Sequence, residues 1–459
     1  MLKNFVFFVY LWVRLVECTS EPLYLTPLIK KGQIDEAQRR AEVKPFLPNV
    51  KSYSGYLTVN EKFNSNLFFW FFPTTSKFDW TTAPLVLWLQ GGPGGSSMFG
   101  LFCENGPYVF VKDKLKKRRH SWTNFFNVLY IDNPVGTGFS FADSSEAYAA
   151  NQSMVGEDLH EALRQFLLLF PQMQKNKFIL SGESYAGKYV PTLAHTILMK
   201  NTTKPKINIY GLFIGNPMIN PEDMLLHYSS YLSAHGLVDD KGRETLRKRE
   251  ELILSHIYAK HWAEAAELFQ DTFFDGAYAK KVSMFVELTG IRNHYNLLQD
   301  TINFRPFWMN FLNKNSTKEA LHVRDDVKFE EASGDVYEKM KPDVMKSMKP
   351  QIGIVLENFR VLIYSGQFDI ICPYYLQLQM SKNFDWSGNW DYSQAQRQPL
   401  RWKNHLCGYH KTAKRYTEVM IRNAGHFVPT NRPQWALGLL QKFVDGSFDR
   451  SSGTLDLSV

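Results

Sequence analysis

Ser184 lies in the run Lys177-Phe-Ile-Leu-Ser-Gly-Glu-Ser-Tyr-Ala-Gly187, where a buried-strand pattern meets a Gly-x-Ser-x-small turn. A helix-compatible stretch, 188–199, follows at once. Strand, sharp turn and helix in that order make a nucleophile elbow, which lifts a serine hydroxyl above the end of a sheet. Gly182 and Ala186 leave room for the backbone to turn tightly beside the serine. The bare pattern is often an ordinary turn, so its flanks and its downstream partners must carry the reading.

A serine made nucleophilic by a histidine and an acid appears on such scaffolds in the chain order Ser, then Asp or Glu, then His. The apolar run Val361-Leu-Ile-Tyr-Ser-Gly-Gln-Phe-Asp369 ends on an acid just past a late strand, with Gly366 at the turn. Taken alone, an aspartate there is most often a turn or cap residue. Three histidines follow, His405, His410 and His426. The first two fall in a polar, lysine-rich stretch. His426, in Asn-Ala-Gly-His-Phe-Val-Pro429, comes shortly after a strand pattern and before the last helical pattern. That position suits a general base reaching back over the sheet, so Ser184, Asp369 and His426 form the expected triad.

An acyl-transfer centre also needs fixed donors for the oxyanion. The backbone N–H of Tyr185, next after the nucleophile, supplies one. Leu85-Val-Leu-Trp-Leu-Gln90-Gly-Gly-Pro-Gly-Gly95-Ser-Ser supplies a glycine-rich loop after an early strand, with Gly92 the best second donor. A phosphate-cradling reading of this loop fails because no Gly-Lys-Ser/Thr follows it. The cluster Asp132-Asn-Pro-Val-Gly-Thr-Gly-Phe-Ser140 fails as a dinucleotide fingerprint, since its third glycine is missing.

Positioning these loops calls for strands at Tyr53–Val59, Asn66–Phe72, Leu85–Leu89, Val128–Ile131, Phe178–Leu180, Ile209–Ile214, Arg360–Tyr364 and Thr417–Ile421. Helices are expected over Met154–Phe170 and Gln434–Phe443, the first as a crossover between parallel strands. Residues 221–350 change character to charged, helix-favouring runs. The expected organisation is an α/β core over 21–220 and 351–459, interrupted by a helical cap over 221–350. The core would be a mixed, mostly parallel sheet flanked by helices.

The 459 residues, 44% hydrophobic and 15% aromatic, exclude a disordered chain. A net charge of +8 is modest for this length. Much of it comes from Lys112-Asp-Lys-Leu-Lys-Lys-Arg-Arg-His120, which reads as a solvated hairpin, because no aromatic residues interleave as in a nucleic-acid binder. Residues 1–20 pair Lys3 with the apolar run Phe5–Val13 and resemble a secretory signal, too short for a membrane span. Sequons at Asn151, Asn201 and Asn315 fit glycosylation in that pathway. Beyond that segment Cys103, Cys372 and Cys407 remain, so at least one thiol is free or pairs outside the chain. Neither cysteines nor histidines fall at metal-ligand spacing, and no cofactor is called for.

Trp88–Ser97, Glu104-Asn-Gly-Pro107, Asp132–Ser140, Gly182–Gly187, Gly366–Asp369 and Gly425–Pro429, in this order, resemble the serine carboxypeptidase family. Gln90, Gly95 and the Ser65–Phe72 strand are most similar to its vitellogenic-like branch. The resemblance implies an α/β-hydrolase fold with a helical insertion, and removal of C-terminal residues from peptides through an acyl-enzyme under acidic conditions. The destination implied is the secreted space or an acidic vesicle. It also implies a carboxylate-binding set of Gln90, where family members carry Asn, with Gly91, Glu104 and Glu183. Two carboxyls facing a substrate carboxylate should have raised pKa values and bind it when protonated. Departures from the family pattern are Gly95 where many members carry Cys, a cap without cysteines, and Asn431 in place of an acid after His426. A cysteine at the Cys372 position occurs in some members; a small buried apolar role is as good a reading. Two rival functions share these residues: a serine carboxypeptidase-like acyltransferase, and a protective or binding partner with incidental activity.

Overall fold

The computed structural model describes residues 21–76, 79–200, 202–274, 282–300, 306–450 and 453–458. The expected signal segment 1–20 and the sequon at Asn201 lie outside them.

Alternation of apolar side chains builds the sheet. In β2 (Ser65–Phe72), Leu67, Phe69 and Phe71 enter one core, and Phe68, Trp70 and Phe72 the other. β3 (Leu85–Leu89) does the same, with Leu85, Leu87 and Leu89 on one face and Val86 and Trp88 on the opposite. Strands apolar on both faces must be covered on both, and helices do this. Gln152–Leu169 and Ala186–Met199 bury residues in the first core, and Pro433–Val444 in the second. Asn151 starts the first helix by accepting the Met154 N–H at 3.1 Å.

The remaining strands are β1 (Tyr53–Asn60), β4 (Tyr108–Val111), β5 (Lys114–Lys117), β6 (Asn127–Ile131), β7 (Phe178–Glu183), β8 (Ile209–Gly215), β9 (Arg360–Gly366), β10 (Gln398–Trp402), β11 (His405–Ala413), β12 (Tyr416–Ile421) and β13 (Leu455–Asp456). Of the thirteen strands among the described residues, eleven form one sheet in the order β1-β2-β6-β3-β7-β8-β9-β12-β11-β10-β13. The run from β6 through β12 is parallel, and the flanking β1, β2, β11 and β10 pair antiparallel. The fold is an α/β hydrolase with a mixed, mostly parallel sheet. Neighbouring parallel strands bring their carboxyl ends to one edge, where such sheets bind ligands.

β4 and β5 form a separate hairpin that carries the basic run. Its lysines are exposed. Arg118 departs from the solvated reading: its guanidinium donates to the carbonyls of Phe102, Gly106 and Tyr108. Between β8 and β9 the described chain forms helices, from Pro221–Leu225 to Lys349–Asn358. The last of these packs on Ala186–Met199 and leads into β9. One backbone bridge joins Ala332, within this segment, to Gly95.

Candidate active site

The order β3-β7-β8-β9-β12 lays out the site. Each strand ends in a loop carrying one part: the glycine-rich turn, Ser184, Asn216, Asp369 and His426. Ser184 has φ +61°, the left-handed conformation that an elbow imposes on a residue with a Cβ. Its N–H donates to Gly215 O and its carbonyl accepts from Gly187 and Met218, so both sides of the turn are tied down. The serine hydroxyl makes no hydrogen bond among the described residues, and it lines a cavity of about 300 Å³ together with His426.

Asp369 and His426 are buried and joined, with Nδ1 2.7 Å from Oδ2. The same Oδ2 accepts from Asn216 Nδ2 at 2.6 Å, while Oδ1 accepts the Ile371 N–H at 2.8 Å. This leaves Nε2 of the imidazole for the serine side, the arrangement of a general base held by an acid. The close pass of the two loops depends on Gly366, where a Cβ would fall 2.0 Å from Gly425 O. Asn431 Oδ1 accepts the Gly425 N–H at 2.7 Å and Asn296 Nδ2 at 3.1 Å. A neutral amide therefore fixes the histidine loop in this chain. His405 and His410 lie on β11 and do not line the cavity.

The glycine-rich turn is held from below by Asp132. Its Oδ1 accepts from Ser96 Oγ and the Ser97 N–H, and its Oδ2 from the Phe139 N–H. The Asp132–Ser140 cluster is thus a brace for this turn. Gly91 presses on the elbow, since a Cβ there would stand 2.5 Å from Tyr185 N and 2.8 Å from Glu183 O. Gly92, at φ +119°, follows in the turn and lines the cavity beside Tyr185. The Tyr185 hydroxyl donates to Asp343 at 3.1 Å, and Gln152 donates to the same carboxylate oxygen at 2.9 Å. Lys188, fully buried, donates to the carbonyls of Asp343, Val344 and Lys346. Burial lowers its pKa to about 7.

Gln90 stands at the cavity wall with its amide orientation set: Oε1 accepts from Trp88 Nε1 at 3.0 Å, and Nε2 donates to Glu183 Oε1 at 2.8 Å. Glu104 and Glu183 are wholly buried and do not themselves line the cavity. Both interact with Gln90 and with each other. Apart from those contacts, both oxygens of Glu104 and Oε2 of Glu183 lack partners among the described residues. Burial raises Glu104 to about 7, and burial together with the Glu104 charge raises Glu183 well above the usual carboxylate range. At acidic pH the pair is neutral.

Cys372 lines the cavity, and burial pushes its thiol up, as befits an un-ionised side chain. Cys103, Cys372 and Cys407 are all free. Asn315 is exposed at the start of a short helix, whereas Asn151 is engaged as a helix cap. No helix among the described residues is long and apolar enough to cross a membrane.

Residues given no role from sequence, namely Asn216, Gln152, Asp343, Lys188 and Asp132, all brace the reactive loops. Asn216 and Asp132 had one readable signal, a polar residue directly after an apolar strand. Gln152 and Asp343 meet across 191 positions, a contact no local pattern contains.

A family model described as serine carboxypeptidase matches residues 43–446. The chain belongs to the serine carboxypeptidase family. Among similar serine carboxypeptidases, the venom serine carboxypeptidase of Apis mellifera is 46% identical over 427 residues, covering 92% of this chain and 90% of that one. The probable serine carboxypeptidase CPVL of Homo sapiens is 40% identical, covering 93% and 90%. The vitellogenic carboxypeptidase of Aedes aegypti is 39% identical, covering 94% and 91%. The crystal structure of Kex1(delta)p, a prohormone-processing carboxypeptidase from Saccharomyces cerevisiae, superposes with a TM-score of 0.74. It is 23% identical and covers 89% of this chain and 96% of its own, a likeness of fold. For this serine carboxypeptidase, Gly91→Ala should lower kcat/KM on a blocked dipeptide by roughly 10²-fold, because the turn and elbow must separate. Activity within about threefold of wild type would show that the close contact at Gly91 does not matter to the site.

Proposed function

We propose that the protein releases C-terminal amino acids from peptides through an acyl-enzyme on Ser184. The observation that carries this reading is the buried Gln90–Glu183–Glu104 set beside the Ser184 cavity. Gln90 and the Gly91 N–H would hold the terminal carboxylate. The two glutamates behind them, neutral at acidic pH, add no opposing charge. Ser184 Oγ attacks the last peptide carbonyl while His426 Nε2 takes its proton, and the serine–histidine hydrogen bond forms as substrate seats. The N–H groups of Gly92 and Tyr185 would receive the oxyanion. His426 then protonates the departing amine, and water, activated by the same imidazole, releases the shortened peptide.

In this reading residues 21–220 and 351–459 form the catalytic core, and 221–350 a cap. The cap contributes Phe269, Tyr295 and Tyr337 to the cavity wall. The segment 1–20 and the sequons support passage through the secretory pathway to the outside or to an acidic vesicle.

The pH sign follows from the raised pKa of Glu104. Below about 7 the pair is neutral and the carboxylate binds; as pH rises through about 7 a buried negative charge appears and repels it. KM for an N-blocked dipeptide should therefore climb through that range in the wild type. In Glu104→Gln, whose amide cannot ionise, the climb should be markedly shallower. An equally steep climb in the variant would remove the glutamate pair from carboxylate recognition.

A further inference from the structure

Glu331 lines the same cavity as Ser184 and His426, and is the only carboxylate to do so among the described residues. No lysine or arginine among the described residues lines it. Among the described residues the Glu331 side chain has neither ion pair nor hydrogen bond; the one bond at this residue is the Ser96 N–H donating to its backbone carbonyl, at 2.8 Å. A half-buried carboxylate without a partner, facing a cavity otherwise rich in aromatic side chains, is costly to keep unless something else pairs with it.

Its place in the cavity identifies which part of a substrate it meets. The segment around Glu331 runs along the glycine-rich turn: Ala332 bridges Gly95, the Ser333 N–H donates to Gly94 O, and Gly95 N–H donates to Gly91 O. Its charge is felt by the Cys103 thiol, next to Glu104. Glu331 thus lies beside the glycine-rich turn and Cys103, toward the carboxylate-holding end. Phe99, whose N–H donates to Ser96 O, and Phe427 line the cavity with ring centroids 4.9 Å apart. Aromatic walls with a carboxylate beyond them suit an aliphatic stem carrying a cation.

We propose that Glu331 is a specificity-determining residue that selects peptides ending in lysine or arginine. The inference rests on the carboxypeptidase reading above and names its substrate class. Burial raises the Glu331 carboxyl to about 7. The titratable groups sharing its surroundings are Cys103, whose thiol burial keeps protonated, and the cavity histidines His294 and His426. The substrate cation keeps its charge throughout, so preference for it should strengthen as pH rises through about 7 and Glu331 ionises.

The test is kcat/KM for N-blocked dipeptides ending in lysine, or in norleucine, its neutral analogue of similar length. Taking the ratio cancels the shared dependence on Glu104 and Glu183. Wild type should favour lysine by at least about tenfold at neutral pH, with the ratio increasing from pH 5 to pH 8. Glu331→Gln should bring the ratio close to one and flatten its pH dependence. Glu331→Lys should shift preference toward a terminal glutamate. Release of both residues with no preference for lysine in the wild type, or an unchanged ratio in Glu331→Gln, would overturn this inference alone. No release from either substrate by folded protein would overturn the carboxypeptidase reading and this inference with it.

Discussion

Ser184→Ala is expected to lower kcat for release of a C-terminal residue by a factor on the order of 10⁶, with the protein still folded. The loss is large because the variant removes the only atom that can bond to the substrate carbonyl, and His426 then has no proton to take. The fold should tolerate it. Serine and alanine both carry a Cβ, so the left-handed conformation at φ +61° costs each about the same. The hydroxyl makes no hydrogen bond among the described residues that the fold would lose. Substrate affinity should persist, since the carboxylate-holding groups are untouched. Single-turnover kinetics together with thermal melting separate these effects. A variant that melts normally yet retains more than about a hundredth of wild-type kcat would exclude Ser184 as nucleophile.

Asp369→Asn should cost on the order of 10⁴ in kcat. The aspartate has three donors aimed at it: His426 Nδ1 and Asn216 Nδ2 at one oxygen, and the Ile371 N–H at the other. An asparagine has only one oxygen to offer. With its NH₂ toward His426 and Asn216, it opposes the Asn216 donor and forces the imidazole proton onto Nε2, where it blocks proton transfer from Ser184. With the amide turned over, the NH₂ opposes the Ile371 N–H instead, and a buried donor goes unpaired. Neither orientation restores all three bonds. Measured kcat values on the blocked dipeptide check this; a loss smaller than about tenfold would show that Asp369 does not orient the base.

What could be read from the chain alone follows from how each part is encoded. β2, β3, β6 and β7 are apolar on both faces, and such runs announce strands buried on both sides of a sheet. β10 and β11 went unrecognised because their composition is polar: His405, Lys411 and Thr412 give β11 little apolar alternation. Its strand form comes from pairing with β12, a tertiary effect that overrides local propensity. In the site, Ser184, Asp369 and His426 each sit after a strand within a short motif, so sequence could find them. That Gln90 stands at the wall with both glutamates behind it depends on the packing of three separate loops, and no spacing encodes that. Glu331, the single carboxylate lining the cavity among the described residues, lies in a charged stretch that reads as an ordinary exposed surface.

Gly95 meets Ala332, in the inserted helical segment, through main-chain pairing. The three cysteines of the described chain are all free. The insertion is therefore attached to the core by contacts that thiol reagents cannot cut. Glutathione or dithiothreitol leaves that junction intact, and its closure does not wait for an oxidising folding compartment or an oxidoreductase. For a polypeptide expected to travel an export route, this uncouples its working shape from the redox state of the compartments it passes through.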